Sequence, residues 1–172
     1  MIQDIILRAP EPEDLDVMLA IENDPDLWSH SSENTGPYTR YQMKQYIAAN
    51  TNDIYTDRQL RLMISLNDGR IAGIVDVFDF DVRNSKAEVG IVVLPEFRGK
   101  GIGRSALCMM EKHCFDFLGI HQIYACVRCD NEAARSIFHA CGFIETAVLK
   151  SWIRRGQRYY DVSMFQKIAE PQ

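Results

Sequence analysis

The chain has 172 residues, 47% of them hydrophobic and 25% charged, with a net charge of -5 at pH 7. That size and mix suit one domain spanning residues 1–172 around a single core. The acidic balance excludes the strongly basic footprint of a nucleic-acid-binding protein and suits a positively charged partner. The start, MIQDIILRAPEPEDLD, lacks the basic region and apolar run of a signal peptide. No apolar stretch approaches the roughly 20 residues of a membrane helix. The expectation is a cytoplasmic protein with no membrane partner. Five cysteines are an odd number and fit reduced thiols. Cys126 and Cys129 form a C-x-x-C, but no second ligand pair completes a zinc site, so they are assigned to the core and no metal is expected.

In chain order, Ile5 to Arg8 is a short apolar strand, and Pro12 introduces a helix to about Glu22 with Leu15, Met18 and Leu19 on one face. The polar stretch ENDPDLWSHSSENTGPYT predicts a loop, and Thr39 to Ala49 a helix with Tyr46 and Ile47 inward. Leu60, Leu62, Ile64 and Leu66 alternate up to Asn67-Asp68-Gly69, a hairpin signal, and Ile71 to Phe80 returns as the partner strand. Ala87 to Leu94 is apolar after Glu88, as in a strand buried on both faces.

Beyond it lies EFRGKGIGRSALCMMEKHCF, then a helix in which Ile102, Ala106, Met110, Cys114 and Phe117 recur at helical spacing and Gly119 is the C-cap. Gln122 to Val127 is strand-like. Asp130-Asn131 cap a helix with a stripe of Ala134, Ile137, Phe138 and Cys141, ended by Gly142. Ile144 to Ile153 and Tyr159 to Lys167 are the last strands. The order β-α-α-β-β-β-α-β-α-β-β predicts an α/β domain with a mixed sheet.

The glycine stretch sits between a buried strand and a helix N-terminus, where unpartnered N–H groups and the helix dipole favour an anion. Glycines let backbone approach a phosphate closely, and Arg98, Lys100 and Arg104 add charge. P-loop spacing is absent. Gly101 to Ala106 does satisfy G-x-G-x-x-A, with Asp130 beyond it. Three features oppose a dinucleotide fold: Pro95 to Lys100 separates strand from fingerprint, only one further βα unit follows, and the preceding strands form a hairpin.

Arg98-Gly99-Lys100-Gly101-Ile102-Gly103 resembles the R/Q-x-x-G-x-G/A signature of GCN5-related N-acetyltransferases. DNEAARSIFHACGF resembles that family's N-x-x-A-x-x-[LI]-Y-x-x-x-G-F segment. LRAPEPEDLDVMLAIEND and RRGQRYYDVSMF resemble its branch of spermidine and ribosomal-protein acetyltransferases. The resemblance covers nearly the whole chain.

It implies the family's splayed sheet, and acetyl transfer from acetyl-CoA to a small-molecule or peptide amine. Ile91, Val92 and Val93 would hold the pantetheine arm and polarise the thioester. Arg98, Gly99, Lys100, Gly101, Ile102, Gly103 and Arg104 would hold the pyrophosphate, and Asn131, Ala134, Arg135 and Phe138 would flank the arm. The acceptor stays open between a polyamine, an amino acid, an amino sugar and a protein N-terminus. A non-catalytic acyl-CoA sensor is the alternative from another class. A homo-oligomer is compatible with the sequence.

An ammonium must lose a proton before it attacks, so a carboxylate near the thioester is useful. Glu88, at the start of the strand running towards the arm, matches one in the resembled branch; the plain reading is a strand-end residue. Asp79 also matches a branch carboxylate, and with Glu33 in the Trp28–Tyr38 segment it would bind a cationic substrate. Phe138 stands where the family usually has the tyrosine that protonates the departing thiolate. Water, His139, Cys141 or Tyr160 would then take that part, and a thiol with a pKa near about 8.5 leaves without much help.

Overall fold

The computed structural model describes residues 4–28 and 36–170. Among them, β1 (Ile5–Arg8), β2 (Leu60–Leu66), β3 (Ile71–Asp81), β4 (Lys86–Val93), β5 (Gln122–Arg128), β6 (Ile144–Arg155) and β7 (Arg158–Ile168) form one sheet. Its order is β1-β2-β3-β4-β5-β7-β6. Every neighbouring pair is antiparallel except β4 and β5. The mixed α/β sheet expected from the sequence is the one observed.

The strand period of two explains how both faces of the sheet's first half are buried. Ile64 and Val75 face one core with Ile102, Ala106, Leu107 and Met110 of helix α5 (Ile102–Lys112). Their neighbours Met63 and Ile74 face the other way, against Met18 and Ile21 of α1 (Leu15–Glu22). Helix α2 (Pro25–Trp28) is a single turn inside the segment expected to be loop. Helix α3 (Arg40–Ala49) adds Met43 to the second core, with Tyr46 only partly buried. Its start is fixed by a reciprocal cap between Thr39 and Gln42.

Two helical features differ from expectation. A short helix α4 (Ile54–Asp57) precedes β2, because the Asp53 carboxylate accepts from the Tyr55 amide and buried Ile54 anchors the turn. The helix expected to run to Gly119 leaves α-geometry after Lys112. His113 to Phe117 form a wider turn, closed by the Leu118 amide donating to the His113 carbonyl at 3.0 Å. Helix α6 (Glu132–Ala140) follows β5 and is capped by the Asn131 side chain, which accepts from the Ala134 amide at 3.1 Å.

Candidate active site

Strands β4 and β5 pair only over Lys86–Glu88 and Gln122–Tyr124. Both continue, β4 held by β3 as far as Val93 and β5 held by β7 as far as Arg128. Beyond Glu88 the two therefore part, and each turns backbone N–H and C=O groups into the gap where sheet pairing would have used them. The Glu88 carboxylate sits at the fork and accepts the Cys126 amide at 3.2 Å. That carboxylate also acts on the neighbouring Cys126 thiol, which burial first and then Glu88 push up to about 12.

The gap opens into a cleft of about 1150 Å³. Ile91, Val92 and Val93 line it from β4. They are half-buried rather than sealed on both faces, which corrects the fully buried strand expected here. Gly73 lets β3 approach β4 this closely: a Cβ there would lie 2.0 Å from the Val92 carbonyl oxygen.

At one end of the cleft lies the glycine loop. Buried Phe97 anchors a tight turn at Pro95–Phe97, and the chain then takes left-handed conformations at Gly99 (φ 72°) and Gly101 (φ 80°) to enter α5. Gly103 lies under the Ile137 and Val93 side chains, 3.1 and 3.3 Å from where a Cβ would be, so it brings α5 close to α6 and β4. Arg98, Gly99, Gly101, Ile102, Gly103 and Arg104 all line the cleft, with the first-turn amides of α5 behind them. Arg98 is oriented by its Nε, which donates to the Val93 carbonyl at 2.9 Å. Asn131 and Ala134 line the far wall with Ile137.

Three residues expected at the cofactor point elsewhere. Lys100 donates to the Glu96 carbonyl at 2.8 Å and lies over the Phe97 ring. Arg135 is drawn to Glu145 at 2.9 Å, on the side of α6 that faces β6 and β7. Phe138 is 2% exposed and packs between Phe143 and Phe165. The helical period explains this: Ala134 and Ile137 face the cleft, and a step of one residue turns Phe138 into the core. Of the stand-in acids, Tyr160 lies beneath the Arg128 guanidinium, His139 packs edge-on against Phe165, and Cys141 closes α6. None of these three lines the cleft.

The other end is acidic. Glu22, Asp24, Asp26, Asp57, Asp76 and Asp79 line it. Asp79 lies at an irregularity in β3, with φ 51°, and is exposed without a hydrogen-bond or ion-pair partner among the described residues. Glu33 lies outside the described residues.

Arg61 stands within this acidic wall. Its Nε and one terminal nitrogen grip Asp76 at 2.8 Å each, and its other terminal nitrogen meets Glu22 at 2.6 Å. Its guanidinium also lies 5.4 Å from the Tyr46 ring centre. Burial alone would lower the Arg61 pKa, but Asp76 and then Glu22 outweigh it and hold the group charged. Burial raises the Tyr46 phenol, whose oxygen accepts from Gln59 at 3.0 Å. Asp79 of this wall was legible in the sequence, whereas Arg61 and Glu22 were not, although an arginine between Leu60 and Leu62 in an alternating strand signals a cation that needs partners.

The site thus combines a splayed parallel pair, a helix N-terminus entered through glycines and a wall rich in carboxylates. The family model described as an acetyltransferase (GNAT) domain matches residues 4–144. The chain belongs to the GNAT acetyltransferase family and is an N-acetyltransferase. It is 26% identical over 158 residues to spermidine N(1)-acetyltransferase of Vibrio cholerae, covering 92% of this chain and 89% of that protein. It is also 26% identical over 162 residues to the putative ribosomal N-acetyltransferase YdaF of Bacillus subtilis, covering 92% and 87%. A crystal structure of the Vibrio cholerae spermidine enzyme in complex with CoA and spermine superimposes with a TM-score of 0.83 at 26% identity, over 95% of each chain.

Proposed function

We propose that the protein transfers an acetyl group from acetyl-CoA to a primary amino group of a polyamine such as spermidine. The observation that carries this reading is the separation of charge along one cleft. Arg98, Arg104 and a helix N-terminus stand at one end, and six carboxylates from Glu22 to Asp79 outnumber Arg58 and Arg61 at the other. Glu88 lies at the fork, two residues along β4 from Gly90, the strand partner of Asp76. The resemblance to enzymes acting on spermidine agrees with this division.

Acetyl-CoA supplies the activated thioester. The chain's own contribution is position and charge. The α5 N-terminus, the curled Gly99–Gly103 backbone and Arg98 and Arg104 suit a pyrophosphate. The backbone of Ile91, Val92 and Val93, released from pairing with β5, suits the amide-bearing arm and can donate to a thioester carbonyl oxygen. Asp79 and the Asp76–Arg61–Glu22 wall hold the cationic body of the acceptor. Glu88 takes a proton from the acceptor ammonium, directly or through water, and the free amine then attacks. Phe138 has no proton to return, so the departing thiolate takes one from water.

Thermal unfolding with coenzyme A tests the cradle. The parent should gain stability, and Gly101→Val should lose most of that gain, since its φ of 80° is hostile to a β-branched residue although nothing lies within 4 Å of the new Cβ. An amine panel with acetyl-CoA, read by thiol release, tests the acceptor. Polycations should outcompete neutral-bodied primary amines, with an advantage that shrinks as salt rises. Equal rates across the panel would transfer the reading to peptide N-termini. Coenzyme A binding without turnover of any amine would make the protein an acyl-CoA sensor.

A further inference from the structure

The sequence directs attention to the C-x-x-C of Cys126 and Cys129, but these two cysteines have separate surroundings. Cys126 stands at the Glu88 fork, and the Cys129 sulfur lies 3.3 Å from the Ser163 hydroxyl. The close pair of thiols is elsewhere. Cys108, on α5, and Cys141, closing α6, bring their Sγ atoms to 3.2 Å across 33 positions of sequence. Cys108 is exposed and Cys141 is buried.

The surroundings hold the pair in register. The Cys141 amide donates back to the Ile137 and Phe138 carbonyls, and its carbonyl accepts from Lys167 Nζ at 2.7 Å. Lys167 also meets Glu111, one turn beyond Cys108 on α5. The Cys141 sulfur lies 3.7 Å from the Arg104 carbonyl. Closing the gap from 3.2 Å to the roughly 2.0 Å of a disulfide needs about 1.2 Å of sulfur movement, within reach of side-chain rotation.

We propose that Cys108 and Cys141 form a modification site that takes small-molecule disulfides and is converted to an intrachain disulfide joining α5 to α6. The exposed Cys108 thiolate attacks one sulfur of the small disulfide and expels the first small thiolate, which takes up a proton. Cys141, once deprotonated, attacks the Cys108 sulfur of the mixed disulfide and expels the second. Two protein thiols are oxidised and one small disulfide is reduced to two thiols. Burial and the neighbouring Cys108 thiol push Cys141 up to about 12, so Cys141 is protonated when Cys108 makes the first attack. The product is a staple between the two helices whose N-terminal turns line the cleft. A reducing thiol reverses it.

The test treats the reduced full-length protein with oxidised glutathione and reads intact mass, non-reduced peptides and unfolding temperature. The expected product is lighter by two hydrogens, carries a Cys108–Cys141 cross-linked peptide, returns to the starting mass with dithiothreitol, and unfolds about 5 °C higher. Cys141→Ser should stop at a glutathione adduct on Cys108. Cys108→Ser, an exposed and mild change, should give no cross-link at Cys141. A parent that accumulates the Cys108 adduct without losing two hydrogens overturns the proposal. So does a cross-link through another cysteine or between two chains, or a cross-linked protein with an unchanged unfolding temperature.

Discussion

The backbone amide of Cys126 donates to the Glu88 carboxylate across the fork where β4 and β5 part. One side chain thereby replaces a sheet hydrogen bond and places its charge at the mouth of the gap. The two roles separate on substitution, because glutamine keeps an oxygen for the Cys126 amide but cannot act as a base. Glu88→Gln should lower turnover roughly tenfold to a thousandfold and leave the coenzyme A thermal shift intact. The deficit should shrink as pH rises and free amine forms unaided. Superimposable pH–rate profiles for parent and variant would reduce Glu88 to a strand residue.

Phe138 makes the opposite case. Its ring is buried against Phe143 and Phe165. Phe138→Tyr should cost about 1 to 3 kcal/mol in urea unfolding, for a hydroxyl taken from water without a partner. Turnover should not rise. A faster, equally stable variant would mean that the ring can turn into the cleft.

Arg61 tests the acceptor wall. Arg61→Met removes the cation shared by Asp76 and Glu22 and leaves both carboxylates facing each other at the cleft. The expected loss is about 3 kcal/mol of stability. Coenzyme A affinity should hold, since Arg61 is at the other end. Replacing Asp76 with Asn in the same chain should recover part of the stability, a coupling that a double-mutant cycle reads directly.

Gly73 and Gly103 separate backbone from side-chain clashes. Gly73→Ala drives a methyl group into the β4 carbonyl of Val92, which the sheet prevents from moving, and should cost about 3 kcal/mol. Gly103→Ala meets only the ends of Ile137 and Val93, which can turn aside, and should cost distinctly less. Equal denaturation midpoints for the two would show that β3 and β4 adjust freely.

Asp14 sets an acid limit. Burial would raise its carboxyl, but the two-pronged Arg8 hydrogen bonds at 2.7 and 2.8 Å and the Glu11 amide hold it below the usual value. A lowered folded-state pKa contributes stability that is present above the unfolded value, near about 3.9, and is lost as pH falls through the folded one. Stability should therefore drop below about pH 4. Asp14→Asn should flatten that part of the curve and cost about 2 kcal/mol at neutral pH. An unchanged acid transition in the variant would assign the loss to other carboxylates.

The sequence by itself determined what depends on near neighbours in the chain. Alternation from Leu60 to Leu66 and the Asn67-Asp68-Gly69 turn set the β2–β3 hairpin, since strand period and turn chemistry act within a few residues. Gly99 and Gly101 before an amphipathic helix, and Gly103 in its first turn, marked the cradle, because positive φ at the first two and close helix approach at the third leave few other residues suitable. Only the tertiary structure decided what depends on partners far apart in sequence. It parted β4 from β5 after Glu88 and brought Glu22 and Asp76 onto Arg61. It also turned Phe138 into the core and set Cys108 beside Cys141. Each of these is fixed by which elements the sheet makes neighbours, and residue spacing along one strand or helix carries no record of what packs against it.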